Sequence, residues 1–109
     1  MGEDLRTHRA ASGRLEVRPA EHAALVGDGL PLSLTVRELQ MLSVLAANPQ
    51  RIMTREELYL EVWGGEPRPE DRSVDVYVSR LRSKLGEAMP GLELIHTHNG
   101  IGYRFSPDG

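Results

Sequence analysis

Cysteine is absent from this 109-residue sequence, and so are long apolar runs. Without cysteine, neither a disulfide framework nor a thiolate metal site is available, and a reducing compartment is the simplest expectation. No window approaches the roughly 18 apolar residues that a membrane helix needs, and the polar N-terminus lacks the apolar segment of a signal peptide. We therefore expect one cytoplasmic domain with a single core.

Catalytic motifs are missing as well. The sequence has no Gly-rich phosphate loop after a strand, no nucleophile with a visible base, and no paired carboxylates on a shared face. His96 and His98 alternate on one face of a predicted strand and could share a metal, but a metal site needs a third and a fourth ligand. The sequence therefore predicts a protein that is not an enzyme and that has no metal or other cofactor.

The formal net charge is −3, but the charge is distributed unevenly. Residues 72–85 contain four cations against the single carboxylate of Asp75, so this segment carries +3 and the remaining residues carry −6. The four cations are Arg72, Arg80, Arg82 and Lys84. A local excess of positive charge attracts a polyanion even when the whole chain is acidic. Residues 72–85 are therefore the first candidate for contact with nucleic acid.

The N-terminal part of the chain predicts short strands. Residues 1–12 are expected to form a flexible tail or linker, although HRAAS could form a short edge strand, and residues 13–107 are expected to form the domain. Apolar and polar residues alternate in GRLEVRP and in LPLSL, with the apolar run AALV between them. Alternation with a period of two, interrupted by Pro and Gly, predicts a small antiparallel meander.

Two helices with the same kind of start are predicted next. Thr35 followed by Glu38, and Thr54 followed by Glu57, each fit a capping box, in which each side chain bonds to the backbone amide of the other residue. Leucines at three- and four-residue spacing follow the first box, and that helix is expected to end near Pro49. The second helix should end at WGGEPRP, because Gly and Pro cannot continue it.

A third helix and a terminal hairpin complete the pattern. Asp71 can cap a helix that is expected to run to about Leu85, before Gly86. The segment LELIHTHNGIGYRF predicts two strands around Asn99 and Gly100, a pair that strongly favours a hairpin turn. The order predicts an α+β fold, a winged helix-turn-helix with an N-terminal antiparallel sheet, a three-helix core and a C-terminal β-hairpin wing.

The third helix is amphipathic. At about 100° per residue, Val74, Val78, Leu81 and Leu85 face the core, and Arg72, Val76, Ser79 and Ser83 lie opposite. This outer face is small, has arginines on its flanks, and places a valine where a thymine methyl could lie in the major groove. An ordinary surface helix fits this segment alone equally well. Asp75 lies near Arg82 in angle and could orient it, or could favour the helix start.

Three ordered motifs, from about Gly13 to Ser106, resemble the DNA-binding effector domain of OmpR/PhoB-type response regulators. LTVRELQMLSVLAANPQRIMTREELYLEVWG resembles the first two helices of that family, DRSVDVYVSRLRSKL its recognition helix, and THNGIGYRF its wing. The resemblance implies sequence-specific binding to double-stranded promoter DNA, for transcription regulation in a two-component system, with possible head-to-tail pairing on direct repeats. The alternative is a winged helix that serves as a protein-interaction adaptor, although such a helix would be expected to lose its basic residues.

The resemblance assigns DNA contacts residue by residue. In the recognition helix, residues 72–85, they fall on Arg72, Ser73, Val76, Ser79, Arg80 and Arg82. Ser79 departs from the family pattern, because relatives often carry a basic residue there. One phosphate or base contact is therefore expected to be missing.

The wing, residues 94–106, is expected to lie on the adjacent backbone and minor groove. By resemblance its contacts fall on Thr97, Asn99, Gly100 and Tyr103, and Gly100 and Gly102 keep the turn tight. Asn99 stands where the family commonly has arginine, and a neutral amide is a poorer partner for a narrow, negative groove. His98 could compensate partly when it is protonated.

The segment WGGEPRP matches the family loop that contacts RNA polymerase in relatives. Glu66 and Arg68 are the stronger candidates for that contact, because a loop tip exposes them. Trp63 is more simply expected to be a core or lid residue. No stretch has the pattern of a receiver domain, so the chain is expected to be an effector domain from a longer regulator or to be controlled by other means.

Overall fold

The structure, a computed structural model that describes residues 6–109, has the predicted N-terminal strands, three helices and terminal hairpin in order, with one further strand between the first two helices. They are β1 (His8–Ala10), β2 (Leu15–Arg18), β3 (Ala23–Val26), β4 (Leu30–Pro31), α1 (Val36–Ala47), β5 (Ile52–Thr54), α2 (Arg55–Val62), α3 (Ser73–Ala88), β6 (Ile95–His98) and β7 (Gly102–Phe105). Strands β1 to β4 form an antiparallel sheet in chain order, and β5, β7 and β6 form a second antiparallel sheet in that order. Helix α1 packs against α2, α3, β2 and β7, so it joins both sheets to the other helices. The predicted α+β architecture is confirmed.

The N-terminal boundary differs from the prediction. The expected tail over residues 1–12 lies partly outside the described residues, but within them β1 pairs with β2, with His8 opposite Val17. Ala10 and Ala11 are buried, and the Ala11 amide donates to the Pro107 carbonyl at 2.6 Å. Residues 8–12 therefore belong to the folded domain, and the alternative of an edge strand in HRAAS is confirmed.

The last strand of the meander is shorter than predicted. Only Leu30 and Pro31 of LPLSL form β4, whereas Leu32 and Leu34 follow as irregular chain and pack against the core. Pro31 has no amide hydrogen, so it cannot donate to a longer strand ladder.

Both predicted capping boxes are present. The Glu38 amide donates to Thr35 Oγ1 at 3.2 Å, and the Thr35 amide donates to Glu38 Oε1 at 2.8 Å. The same pair of bonds joins Thr54 and Glu57, at 3.1 and 2.9 Å. Helices α1 and α2 therefore begin where local chemistry satisfies their first free amides, and they end at residues 47 and 62, as predicted.

Glu38 also joins α1 to α3. Its side chain is buried, and Lys84 Nζ donates to its Oε1 at 2.6 Å. Burial by itself would raise the pKa of Glu38, but the hydrogen bonds from Lys84 and the Thr35 amide, and the Lys84 charge, hold it below its ordinary value. One carboxylate therefore caps a helix and fixes the packing of another.

Helix α3 extends beyond the predicted end at Leu85. It continues through Gly86 to Ala88, and the next residue, Met89, is buried. The burial of Met89 extends the apolar stripe of α3, which outweighs the modest helix penalty of one glycine. At the start of the helix, the Asp71 carboxylate accepts a hydrogen bond from the Ser73 amide at 2.7 Å. Asp71 therefore contributes to the helix start from the position before the N-cap residue, Arg72.

The hairpin of β6 and β7 turns at residues 99 and 100, as predicted, but the third strand of its sheet was not predicted. Strand β5 has only three residues, which is too few for an alternating pattern to be visible in the sequence. It pairs with β7, with Thr54 opposite Gly102. The start of α2 is thereby joined directly to the wing.

Candidate nucleic-acid interface

The outer face of α3 is exposed as predicted. Its core stripe, Val74, Val78, Leu81 and Leu85, is buried. A shallow, open depression on the other side is lined by Arg72, Asp75, Val76, Ser79 and Arg80. Val76 is 41% exposed at the centre of this face. The structure thus brings four of the six predicted contact residues of the helix together on one surface: Arg72, Val76, Ser79 and Arg80. Ser73 is half-buried at the helix start.

The two arginines of α3 and the arginine at its N-cap have different surroundings. Arg72 is exposed at the N-cap position, and its charge helps to lower the pKa of Asp75. Arg80 is exposed, and its Cζ lies 5.0 Å from the centroid of the Tyr77 ring. Arg82 is half-buried and points toward the second sheet, where it contacts β6. Equal charge in the sequence therefore hides unequal availability for DNA.

Arg82 joins α3 to the wing. Its Nε donates to the Ile95 carbonyl at 3.2 Å, and its Nη2 donates to Thr97 Oγ1. Its Cζ also lies 5.3 Å from the centroid of the Tyr103 ring. Two of its five N–H donors are therefore used within the protein, so Arg82 is less available than the exposed Arg72 and Arg80, and its contact with DNA stays a prediction. Thr97 remains exposed but already accepts this bond.

Asp75 is the centre of a polar cluster that the sequence did not reveal. Its Oδ1 accepts from Arg55 Nε at 2.8 Å and from the Tyr103 hydroxyl, whereas Arg82 bonds to β6. Of the two alternatives for Asp75, the orienting of Arg82 is therefore not what these bonds show. Arg55 stands 20 positions before Asp75 in the sequence, and no local pattern linked the two. The three side chains join the starts of α2 and α3 to strand β7 of the wing.

The pKa values of the cluster reflect this geometry. Burial by itself would raise the pKa of Asp75, but hydrogen bonds from Tyr103 and Arg55, and the charges of Arg55 and Arg72, lower it. The bond to Asp75 raises the pKa of Arg55, and burial followed by the nearby carboxylate raises the pKa of Tyr103. Tyr103 is 5% exposed and its hydroxyl is already bonded, so the predicted contact of Tyr103 with the DNA backbone is not available in this conformation.

The wing tip presents Asn99, Gly100 and Ile101 to solvent. Gly100 has φ of +77°, which keeps the turn tight as predicted. Gly102 serves a different purpose, because a Cβ built there would lie 1.9 Å from the Met53 carbonyl oxygen. Gly102 is therefore required by the close approach of β5 rather than by the turn. The exposed Ile101, at 52%, was not among the predicted contacts.

His98 is half-buried, and its Nε2 accepts from Arg104 Nε at 3.1 Å. Arg104 in turn donates to Gln50 Oε1 at 2.8 Å, so it fixes the outer face of the second sheet. His96 shares that face of β6, and its buried Nε2 has no hydrogen-bond partner among residues 6–109. Over residues 6–109, no group of three or more potential ligand side chains is placed to hold a metal ion.

The segment between α2 and α3 begins at Trp63, which packs against the core as expected of a lid residue. Its ring stacks on Tyr59, with centroids 5.2 Å apart, and meets Tyr77 edge-on at 5.4 Å. Glu66 and Arg68 are exposed farther along the loop. Across the described residues, none of the helices has both the length and the apolar character needed to cross a bilayer.

Comparisons with known proteins agree with this geometry. A family model described as "Transcriptional regulatory protein, C terminal" matches residues 29–105. The chain is 38% identical over 92 residues to the phosphate regulon transcriptional regulatory protein PhoB of Klebsiella pneumoniae. That match covers 84% of this chain and 39% of the relative, so the chain spans about two fifths of the relative's length.

Two solved structures have the same fold. The DNA-binding domain of CpxR from E. coli superposes with a TM-score of 0.83 and 31% identity, covering 95% of this chain and 99% of that one. The RstA DNA-binding domain of Klebsiella pneumoniae, solved in complex with the RstA box, has a TM-score of 0.81 and 32% identity, covering 94% of this chain and 98% of that one.

Proposed function

This chain belongs to the family of C-terminal domains of transcriptional regulatory proteins, which are DNA-binding domains and not enzymes. We propose that it binds DNA through helix α3 and the wing. Helix α3 enters the major groove with its outer face, and the wing lies on the adjacent backbone and minor groove. The observation that carries this proposal is the exposed cationic face of α3, directly opposite its buried stripe. RstA, which shares the fold, was solved on its DNA box.

The residues divide by availability. Arg72 and Arg80 are the exposed arginines of the α3 face, Val76 supplies an apolar contact for a thymine methyl, and Ser79 allows close approach. Ser73 lies half-buried at the helix start and stays a proposed contact, although its amide already donates to the Asp71 carboxylate. In the wing, the exposed contacts are Thr97, Asn99 and Gly100, with half-buried His98 beside them. Arg82 and Tyr103 support the interface indirectly, because their bonds fix the wing against α3.

Binding through phosphates should depend steeply on salt. We expect the logarithm of the association constant for duplex DNA to fall linearly with the logarithm of the salt concentration, because released counterions drive the association. Arg72→Ala should lower the magnitude of that slope by about 1, since one phosphate contact is lost. The matched control is Arg14→Ala, an exposed arginine before β2 that should leave the slope unchanged. Fluorescence anisotropy at several salt concentrations measures all three proteins.

Two outcomes of that experiment would contradict the proposal. A folded domain that binds no duplex at low salt would reject DNA binding by this chain. Binding that does not respond to salt would favour the alternative of an adaptor that docks through apolar contacts, for which the arginines are not needed.

Pairing on direct repeats is a further part of the proposal. Within residues 6–109, the large exposed apolar side chains lie on several different elements: Leu30, Val36, Ile52, Leu60, Val76 and Ile101. We therefore propose that they do not add up to the contiguous patch that a stable dimer buries, and that DNA supplies the second point of attachment.

We expect the free domain to sediment as a monomer at micromolar concentration. On a duplex with two direct repeats, two copies should bind with higher affinity than on a duplex with one repeat moved by half a helical turn. A stable dimer without DNA, or equal affinity for both duplexes, would be evidence against pairing by this route.

RNA polymerase is the second proposed partner. The loop between α2 and α3 exposes Glu66 and Arg68 to solvent. Its first residue, Trp63, packs on the aromatic rings of Tyr59 in α2 and Tyr77 in α3. A loop held firmly at its base can present charged side chains to a protein surface. A cytoplasmic location is part of the same proposal, because both proposed partners are found there. Control by a receiver domain elsewhere in a longer regulator is part of the same proposal.

A further inference from the structure

Arg80 is the one arginine of α3 whose guanidinium is both exposed and held by a ring. Its Cζ lies 5.0 Å from the centroid of Tyr77, three residues earlier on the helix. Within residues 6–109, Arg80 has no ion pair and no side-chain hydrogen bond to the protein. The guanidinium plane is thus restrained by a cation–π contact while its five N–H donors stay open to a ligand.

The Tyr77 ring is itself fixed by residues outside α3. It meets Trp63 edge-on, with centroids 5.4 Å apart and planes at 66°, and Trp63 stacks on Tyr59 at 5.2 Å. Arg37 contacts the middle ring, with its Cζ 5.7 Å from the Trp63 centroid, and its Nη1 donates to the Val62 carbonyl at 2.6 Å. Tyr59, Trp63 and Tyr77, which we call the aromatic ladder, therefore connect the end of α2 to the DNA face.

Building on the proposed function, we infer that Tyr77 is a specificity-determining positioning residue that holds Arg80 for base readout. An arginine that rotates freely loses rotamer entropy when it pairs with a guanine edge. It can equally well bind a nearby phosphate, whatever the base sequence. A guanidinium restrained before binding loses less, and it is restrained at one place in the groove. Tyr77 thereby favours sequence discrimination over general attraction.

The decisive variants are Tyr77→Leu, which removes the ring, and Tyr77→Phe, which keeps it. No hydrogen bond of the Tyr77 hydroxyl occurs within residues 6–109, so Phe should behave like the parent. In the free domain, ¹⁵N relaxation of Arg80 Nε should report a restrained side chain in the parent and in Tyr77→Phe, and a mobile one in Tyr77→Leu. Equal mobility of Arg80 in all three folded proteins would overturn the inference without any reference to DNA.

The second measurement compares affinity for the preferred site, selected from random duplexes, with affinity for the same site changed at the base that Arg80→Ala ceases to distinguish. Tyr77→Leu should lower this discrimination about two- to fivefold, the range of an exposed cation–π contact, and should leave binding to an unrelated duplex unchanged. Tyr77→Phe should restore it. In an Arg80→Ala background, Tyr77→Leu should have no further effect on discrimination.

The outcomes separate the inference from the function it builds on. A parent domain that binds no duplex would reject the proposed function, and with it a reading role for Arg80. A parent that binds normally, together with a Tyr77→Leu variant that keeps full discrimination or weakens both duplexes equally, would reject the inference alone. So would an undiminished effect of Tyr77→Leu in the Arg80→Ala background.

Discussion

Gly102→Ala is expected to destabilise the domain by about 3 kcal/mol or more, at the upper end of what overpacking costs. A Cβ at this position would lie 1.9 Å from the Met53 carbonyl oxygen and 2.9 Å from Thr54 Cα. Both atoms belong to the backbone of β5, which a rotamer change cannot move. The strand would have to leave β7, and it carries buried Met53 and the Thr54 cap of α2.

The measurement is the free energy of unfolding in urea, followed by circular dichroism. Gly86→Ala is the matched control, because Gly86 lies within α3 with open space where a Cβ would be added. This replacement should stabilise the domain by roughly 0.5–1 kcal/mol. Gly100→Ala should be intermediate, since its positive φ is strained but its surroundings are open. A Gly102→Ala variant within about 1 kcal/mol of the parent would show that β5 yields easily.

Asp75→Ala is the second change with a large expected effect, a loss of about 2–4 kcal/mol of stability. It leaves the largely buried hydroxyl of Tyr103 without its acceptor and Arg55 without its carboxylate. Because these residues join the starts of α2 and α3 to the wing, DNA affinity should fall as well. Tyr103→Phe, which removes one donor and keeps the ring contacts with the guanidinium groups of Arg55 and Arg82, should cost only about 1 kcal/mol.

The contribution of Asp75 should depend on pH in a defined direction. Its pKa is lowered in the folded domain, so its stabilisation is complete above the unfolded pKa of about 3.9 and is lost as pH falls through the folded value. Glu38 and Glu57 also have lowered pKa values and add to the loss of stability in acid. Asp75→Asn should therefore flatten this dependence only in part.

Unfolding free energies of the parent and Asp75→Asn between pH 6 and pH 3 test this expectation. The difference between the two proteins should shrink as pH falls, because protonation brings the parent carboxyl closer to the neutral amide. A difference that stays constant over that interval would mean that the charge of Asp75 does not stabilise the fold.

Elements with local causes could be predicted from the residues alone. Thr35 and Glu38, or Thr54 and Glu57, lie three positions apart, so a capping box is visible before any fold is known. The stripe of Val74, Val78, Leu81 and Leu85 follows from the helical period alone. The family followed from the order of three such motifs, and the comparisons agree with it.

The contacts of the polar side chains on those elements depend on tertiary structure. Arg80 and Arg82 are two positions apart and equal in charge, yet one lies open beside Tyr77 and the other is bonded to Ile95 and Thr97 of the wing. The helical period gives the direction in which a side chain points, but it does not say which distant segment lies there. The partner of Asp75, the need for Gly102 and the edge strand β1 likewise depend on chain segments that meet only after folding.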